Sequence, residues 1–236
     1  MISRIMPYRA SRIIQVRDPA AAKQELTLFQ GFDFREYVAI TRATPTKGAT
    51  YPNFRPDQSL IKPGEGYWIT GIDKRRRVVL LAAARLYDLP TSNFAEHLES
   101  LKAFYADPSV QAHKQDCCTC LAPTAKTMTG RIAYHGDYWL HEEFRGRGLS
   151  RVVARITHGL SFALWEPDFL CALVADWSLN KGLVAQYGYG HFEPGGSLLH
   201  LVNENIRDND WLVWRTREEL RSQFGVPGAA ATSISL

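Results

Sequence analysis

The 236-residue chain has no apolar run approaching the ~20 residues that a membrane-spanning helix requires, so no helical span is expected. Cysteine is scarce: of four, three are packed as Cys117-Cys118-Thr119-Cys120 and the fourth, Cys171, stands in an apolar stretch. Neighbours this close cannot easily pair with one another, which argues against a disulfide framework. His113, four residues upstream, offers a fourth zinc ligand. Adjacent cysteines depart from the usual zinc spacing, however, and no second ligand pair follows at a finger-like distance. The expectation is a reduced, partly exposed loop and no metal. Charge of one sign is also short: 28 basic against 24 acidic residues give a net charge of +4, below the dense basic patch of a nucleic-acid binder. There is no internal repeat, and no linker rich enough to divide the chain, so one domain over 1–236 is expected. The first eighteen residues carry arginines throughout and no uninterrupted apolar core, so a secretory signal is not expected and the cytoplasm is the default compartment.

With 45% hydrophobic and 22% charged residues, the chain has an ordinary globular composition and enough length to bury a core. It is organised around Asp137 to Ser150, DYWLHEEFRGRGLS. Tyr138 to His141 reads as extended. Arg145-Gly146-Arg147-Gly148 then turns the chain, and Val152, Ile156, Leu160 and Ala163 recur at helical spacing in a segment reaching about Trp165. In such a strand–turn–helix, two glycines let the backbone approach a ligand, and the free amides of the first helical turn point outward with the positive end of the helix dipole behind them. That is an anion site, most naturally for phosphate. Arg145, Arg147 and Arg151 add side chains able to grip phosphate oxygens in pairs. The Walker-type lysine pattern and the dinucleotide spacing are both missing.

RGRGLS resembles the Arg/Gln-x-x-Gly-x-Gly/Ala pyrophosphate loop of the GNAT superfamily of acyl-CoA N-acyltransferases. Arg145 and Gly148 match that pattern, while Ser150 stands where the family prefers Gly or Ala. The order downstream is similar as well. Asp168 to Ala175 is a nearly continuous apolar run of strand length. Asn180 is followed seven positions later by Tyr187, as the family often shows. Gly190-His191-Phe192 is one residue looser than the family's Gly-aromatic pair, and the likeness covers about Tyr138 to Phe192. The resemblance implies an α+β fold of three-layer α/β/α type: a mixed, mostly antiparallel central sheet of about six to seven strands with helices on both faces.

Elsewhere, residues 1 to about 10 read as a frayed or edge segment, and Ile13 to Val16 as a first strand. Pro19 suits a helix start, and residues 20–30 (AAAKQELTLFQ) read as a helix ending at Gly31. Phe32 to Ile40 is helix or strand. Thr44 to Gly66, rich in proline and glycine, reads as a long loop. In the resembled family this region often lines the acceptor pocket; Tyr51, Phe54, Tyr67 and Trp68 are either that pocket or core. Tyr67–Ile72 and Val78–Tyr87 form a hairpin around the basic turn Asp73 to Arg77. A helical insertion is expected around 91–130: Asn93 and Glu96 resemble a capping pair, and Phe94, Leu98, Leu101 and Tyr105 share one face. It could cover a cleft or form a homodimer contact, with the cysteine cluster following as loop. Pro194-Gly195-Gly196 reads as a turn, Leu198–Val202 as a short apolar run, Trp211–Arg215 as a last strand and Glu218–Phe224 as a helix. The tail from Gly225 reads as disordered.

What the resemblance implies for chemistry is acyl transfer from acetyl-CoA or another acyl-CoA, as co-substrate, to a small-molecule or peptide amine, without metal, nucleic acid or membrane. Main-chain atoms of Trp139, Leu140 and His141 would steady the pantetheine arm and the carbonyl. Residues Arg145, Gly146, Arg147, Gly148, Leu149 and Ser150 would bind pyrophosphate, and Asn180 would contact the cofactor. Tyr187 would protonate the departing sulfur, since a phenol with a pKa near ~10 is protonated at neutral pH. For the general base the candidates are His141 and Glu142, with Asp137, Glu143 and His135 nearby. Two other readings are an acyltransferase of the same fold fed by a carrier protein docking on Lys74 to Arg77, and a non-catalytic CoA-binding module.

Overall fold

Nine strands join one mixed sheet in the computed structural model, which describes residues 13–225. In chain order the elements are β1 (Ile14–Val16), α1 (Pro19–Lys23), β2 (Leu26–Gly31), α2 (Phe34–Arg42), β3 (Gly66–Asp73) and β4 (Val78–Leu89). Then come α3 (Phe94–Glu99), α4 (Pro108–Gln111), β5 (Cys117–Thr119), β6 (Gly130–Leu140), α5 (Leu149–Trp165) and β7 (Phe169–Ala175). The chain continues with α6 (Asp176–Asn180), α7 (Leu183–Gln186), β8 (His191–Leu201), β9 (Ile206–Thr216) and α8 (Arg217–Phe224). The strand order is β1-β2-β3-β4-β6-β7-β9-β8-β5, and only β6 and β7 run parallel. The apolar run of β7 is explained by this position, central in the sheet with the α5 core below it and the upper core above. The sheet exceeds the expected six to seven strands because short β1 and β5 extend its two edges.

Both faces are covered, as the α+β expectation requires. Below, α1, α5 and α8 pack on a core that includes Leu28, Tyr67, Leu80, Val153, Leu170 and Leu220. Above, α2, the loop from 43 to 65 and the segment 90–129 close over Tyr37, Phe54, Trp68, Phe94, Phe104 and Met128. Phe54, Tyr67 and Trp68 are therefore core; Tyr51 is only partly buried.

Four expectations need correction. Residues 20–30 are not one helix. Glu25, at φ +58, breaks the chain after α1, and Leu26–Gly31 alternate in burial as β2 against β3. Local helix propensity loses to sheet pairing there. The insertion at 91–130 is not purely helical: Asn93 caps α3 through the Glu96 amide as expected, but Leu101 has φ +60, and Cys117 and Cys118 enter strand β5 on β8 rather than loop. Pro194-Gly195-Gly196 is not a turn but an irregularity inside β8, where the register slips between Glu193 and Ser197. The amides of Leu121 and Ala122 both donate to Gly195 O at that slip. Lastly, α5 buries Val153, Ala154, Thr157, His158 and Ser161, while Val152, Ile156 and Leu160 lie half-buried on its flank. The buried stripe is partly polar, so counting apolar residues placed the face one position off. The expectations for residues 1 to about 10 and for the tail beyond Gly225 lie outside the described residues.

The upper loop hangs on one buried side chain. From β4, Arg85 donates through Nη1 to Asn53 O (2.6 Å) and Ser59 Oγ (2.7 Å), and through Nη2 to Leu60 O (2.9 Å). Its guanidinium lies 4.7 Å from the centre of the Tyr87 ring. Hydrogen bonds to a charged donor contribute about 1.5–3 kcal/mol each, and their loss strands buried carbonyls. Arg85→Met is accordingly expected to lower stability by ~3 kcal/mol, read as a lower midpoint in urea, and to expose the 43–65 loop to limited proteolysis.

Candidate active site

Strands β6 and β7 are paired only from Ile132–His135 to Phe169–Ala172. Past that point β6 stays with β4 and β7 with β9, so the two separate and leave a cavity of about 300 Å³ between them. The separation begins at a bulge: Ala83 lies opposite Gly136 but Leu81 opposite Trp139, so β6 holds one residue more than β4. Asp137, at φ +50, occupies it. Its carboxylate accepts from Tyr37 Oη (2.7 Å), Lys47 Nζ (2.8 Å) and the Tyr51 amide (3.3 Å). Burial pushes the Asp137 carboxyl up, against the pull of Lys47 and those hydrogen bonds. With three donors engaged, it serves as the anchor of the bulge and not as a free base.

Beyond β6 the chain makes one tight turn at Glu142–Phe144 and enters the glycine loop. Gly146 and Gly148 have φ of +74 and +76, which is why side-chain-bearing residues are disfavoured there. A Cβ at either would meet nothing within 4 Å, so the space beside the loop is open. No described residue accepts a hydrogen bond from the amides of Gly146 through Arg151, and no side chain caps α5 at Gly148. These donors sit at the positive end of a 17-residue helix whose start is anchored by buried Leu149. Arg145 Nε donates to Leu140 O (3.1 Å), and the Arg147 guanidinium lies 5.0 Å from the Phe144 ring centre. Arg151 is exposed on the first turn.

Ser150 connects the loop to the cavity. Its Oγ lies 3.1 Å from Tyr138 Oη, and the Tyr138 ring meets Tyr187 edge-on at 5.5 Å. Burial pushes both phenols up; the hydrogen bond to Ser150 opposes this for each. Both therefore remain protonated at neutral pH. Deeper in, His135 Nε2 lies 2.7 Å from Ser161 Oγ, and the His158 ring packs against His135 and Tyr189. Burial pushes His135 down to about 3 and His158 well below its usual value. The inner end of the cavity is thus polar yet uncharged.

Other residues singled out in the sequence do not line the cavity itself. Asn180 is exposed at the end of α6, where Nδ2 donates to Asp176 Oδ2 (2.8 Å); from the same helix it is Trp177 and Ser178 that line the cavity. His141 Nδ1 accepts from the Glu143 amide (3.3 Å), so its side chain shapes the turn. Glu142 is exposed, and Glu143 pairs with Arg77 (2.6 Å), which also holds Asp73. Trp139 and Leu140 sit on β6 paired with Leu81 and Leu80. Sequence reasoning missed Asp208 and Asp210: they alternate on β9, a signal visible only once that strand is extended upstream of Trp211. Among the described residues, no group of three His, Cys, Asp or Glu side chains is placed to hold a metal, and no helix is long and apolar enough to cross a membrane.

No family model matches the chain, and no curated protein does. Solved structures similar to it in fold include three acyltransferases. The ribosomal-protein-S5-alanine acetyltransferase from Vibrio fischeri shares 8% identity at TM-score 0.47, over 88% of this chain and 98% of that one. The N-acyl amino acid synthase FeeM, from uncultured soil microbes, shares 9% at 0.45, over 91% and 96%. A GNAT superfamily phosphinothricin acetyltransferase from Sinorhizobium meliloti, solved in complex with AcCoA, shares 14% at 0.43, over 81% and 88%. Likeness at this level leaves the weight on the site itself.

Because the space beside Gly148 is open, its replacement isolates the backbone requirement. Gly148→Ala is expected to cost ~1–2 kcal/mol through the left-handed conformation alone, read as a lower urea midpoint. Gly159→Ala, inside α5, provides the helical comparison.

Proposed function

We propose that the chain is a GNAT-type N-acyltransferase that moves an acetyl or other acyl group from an acyl-CoA to an amine by direct attack, as one domain acting in the cytoplasm. The observation that carries this reading is the run of unpartnered amides from Gly146 to Arg151, at the head of α5 and beside the gap between β6 and β7. In this reading the pyrophosphate lies on the amides of Gly146, Arg147, Gly148, Leu149 and Ser150, with Arg145, Arg147 and Arg151 around it. The pantetheine arm follows the edge of β6 that β7 has left, along Trp139, Leu140 and His141, and Asn180 flanks the cofactor. The amine nitrogen forms a bond to the thioester carbonyl carbon and the C–S bond then breaks. Tyr187 gives its proton to the leaving sulfur and regains one shed by the nitrogen, so amide and free thiol result with no covalent enzyme intermediate.

One observation favours a variant of this reading. Arg75 and Arg76 are exposed on the β3–β4 turn, and Arg77 ties that turn to Glu143 beside the loop, so an acidic acyl-carrier protein could present its thioester there. A rate that falls steeply with added salt when the carrier is the donor would favour that route; salt-insensitive acyl-CoA turnover would favour the free thioester.

Isothermal titration with CoA is expected to saturate below about 1 mM, corresponding to at least ~4 kcal/mol of binding; no binding at that concentration removes the transferase reading. Tyr187→Phe is expected to reduce kcat by ~100-fold with CoA affinity unchanged, and unaltered turnover would refute the proton-donor role.

A further inference from the structure

The acyl-transfer reading leaves the acceptor's chemistry open, and the face of the sheet away from α5 bears on it. On β9, Asp208 and Asp210 point to the same face as Leu212, toward the upper core. Asp208 accepts from the Tyr51 hydroxyl of the upper loop. No described residue brings Asp210 a hydrogen-bond donor or a cation, and it is only partly exposed. Its register partner on β7 is Ala175, a residue lining the gap between β6 and β7; on its other side, on β8, it faces Ser197. Strands neighbour one another at ~4.8 Å, so Asp210 stands one strand away from a residue that lines the gap. Ser197 is 1% exposed, and its hydroxyl has no partner. A buried hydroxyl left unsatisfied costs about 1–3 kcal/mol, and here it stands beside a carboxylate that also has no counterion.

We propose that Asp210, with Ser197 beside it, receives the ammonium group of a cationic primary alkylamine on this face and takes its proton, making Asp210 the general base of the transfer. This rests on the acyltransferase reading. An alkylammonium supplies what the site lacks, a positive charge and several N–H donors. The ammonium gives one proton to the Asp210 carboxylate, and the freed nitrogen lone pair attacks the thioester carbon. Asp210 later releases that proton to water. A base needs a pKa near the working pH, and burial, together with the charge of Asp208, pushes Asp210 up to about 7. The other titratable groups near it are Tyr51 from the loop, Tyr134 from β6 and Cys118 from β5, none of them a cation.

The test compares two amines with acetyl-CoA and octanoyl-CoA as donors: butylamine, protonated at pH 7, and 4-methoxyaniline, already neutral. Asp210→Asn is expected to reduce kcat/KM for butylamine by ~100-fold or more, to remove the acidic limb of its pH profile near 7, and to reduce the arylamine reaction less than tenfold. Ser197→Ala is expected to raise KM for butylamine about fivefold with kcat little changed. Folding is read separately. The folded-state carboxyl titrates above its ordinary value of 3.8, so its protonated form is favoured in the fold, and the wild type loses stability as pH rises from there through about 7; Asp210→Asn should remove that loss. If the wild type fails to bind CoA, the transferase reading falls, and this inference with it. If CoA binds but both amines respond equally to Asp210→Asn, or neither does, the role of Asp210 alone is overturned. A CoA-binding wild type that acylates no alkylamine overturns the acceptor class.

Discussion

The buried cluster around Asp137 is the constraint on which the rest of the architecture depends. Here β6 gains one residue, its backbone enters the left-handed region, and the pairing to β7 stops. Such a conformation costs about 1–2 kcal/mol in a residue with a side chain. It is held by Tyr37 from α2, by Lys47 and by the Tyr51 amide, so the upper loop and the bulge stabilise one another. Lys47 and Asp137 are each about 5% exposed at the side chain, so their pairing is screened little by salt and removing either would leave an uncompensated buried charge.

From that bulge the sheet works as a partition with different electrostatics on its two sides. On the α5 side the free amides, the helix dipole and three arginines present positive potential to an anion. On the loop side the alternation of β9 presents carboxylates. The gap between β6 and β7 lets the two sides communicate, and the neutral His135–His158 pair keeps its inner end free of competing charge. On the reading proposed above, a donor carrying phosphates and an acceptor carrying an ammonium would be sorted to opposite faces before they met.

The glycine loop was legible because its backbone requirement is written directly in residue type: φ values of +74 and +76 fall on glycines. The strand after α5 was legible for a similar reason, since burial on both faces leaves only apolar residues. The buried face of α5 was not, because the Ser161 hydroxyl meets Tyr67 of β3 and His135 of β6, the His158 ring packs on His135 and Tyr189, and the Thr157 hydroxyl turns back to Ala154 O, none of which an apolar count records. Nor was β2, whose residues favour a helix until β3 is there to pair with. Asp210 escaped notice because Ile206 of β9 is followed by four consecutive polar residues, Arg207, Asp208, Asn209 and Asp210, which resemble a turn until both neighbouring strands are known.

Ser150, the departure from the resembled pattern, has a consequence of its own. A glycine or alanine at that position would offer an amide and nothing else. Here the same residue turns its nitrogen outward while its hydroxyl reaches Tyr138 and, on the far side, Tyr187. On the reading proposed above, the seating of an anion on the helix tip and the acidity of the phenols would thereby be joined through a single residue. A donor truncated to its thioester end would leave that joint untensioned, so the distal nucleotide would govern how readily the sulfur departs.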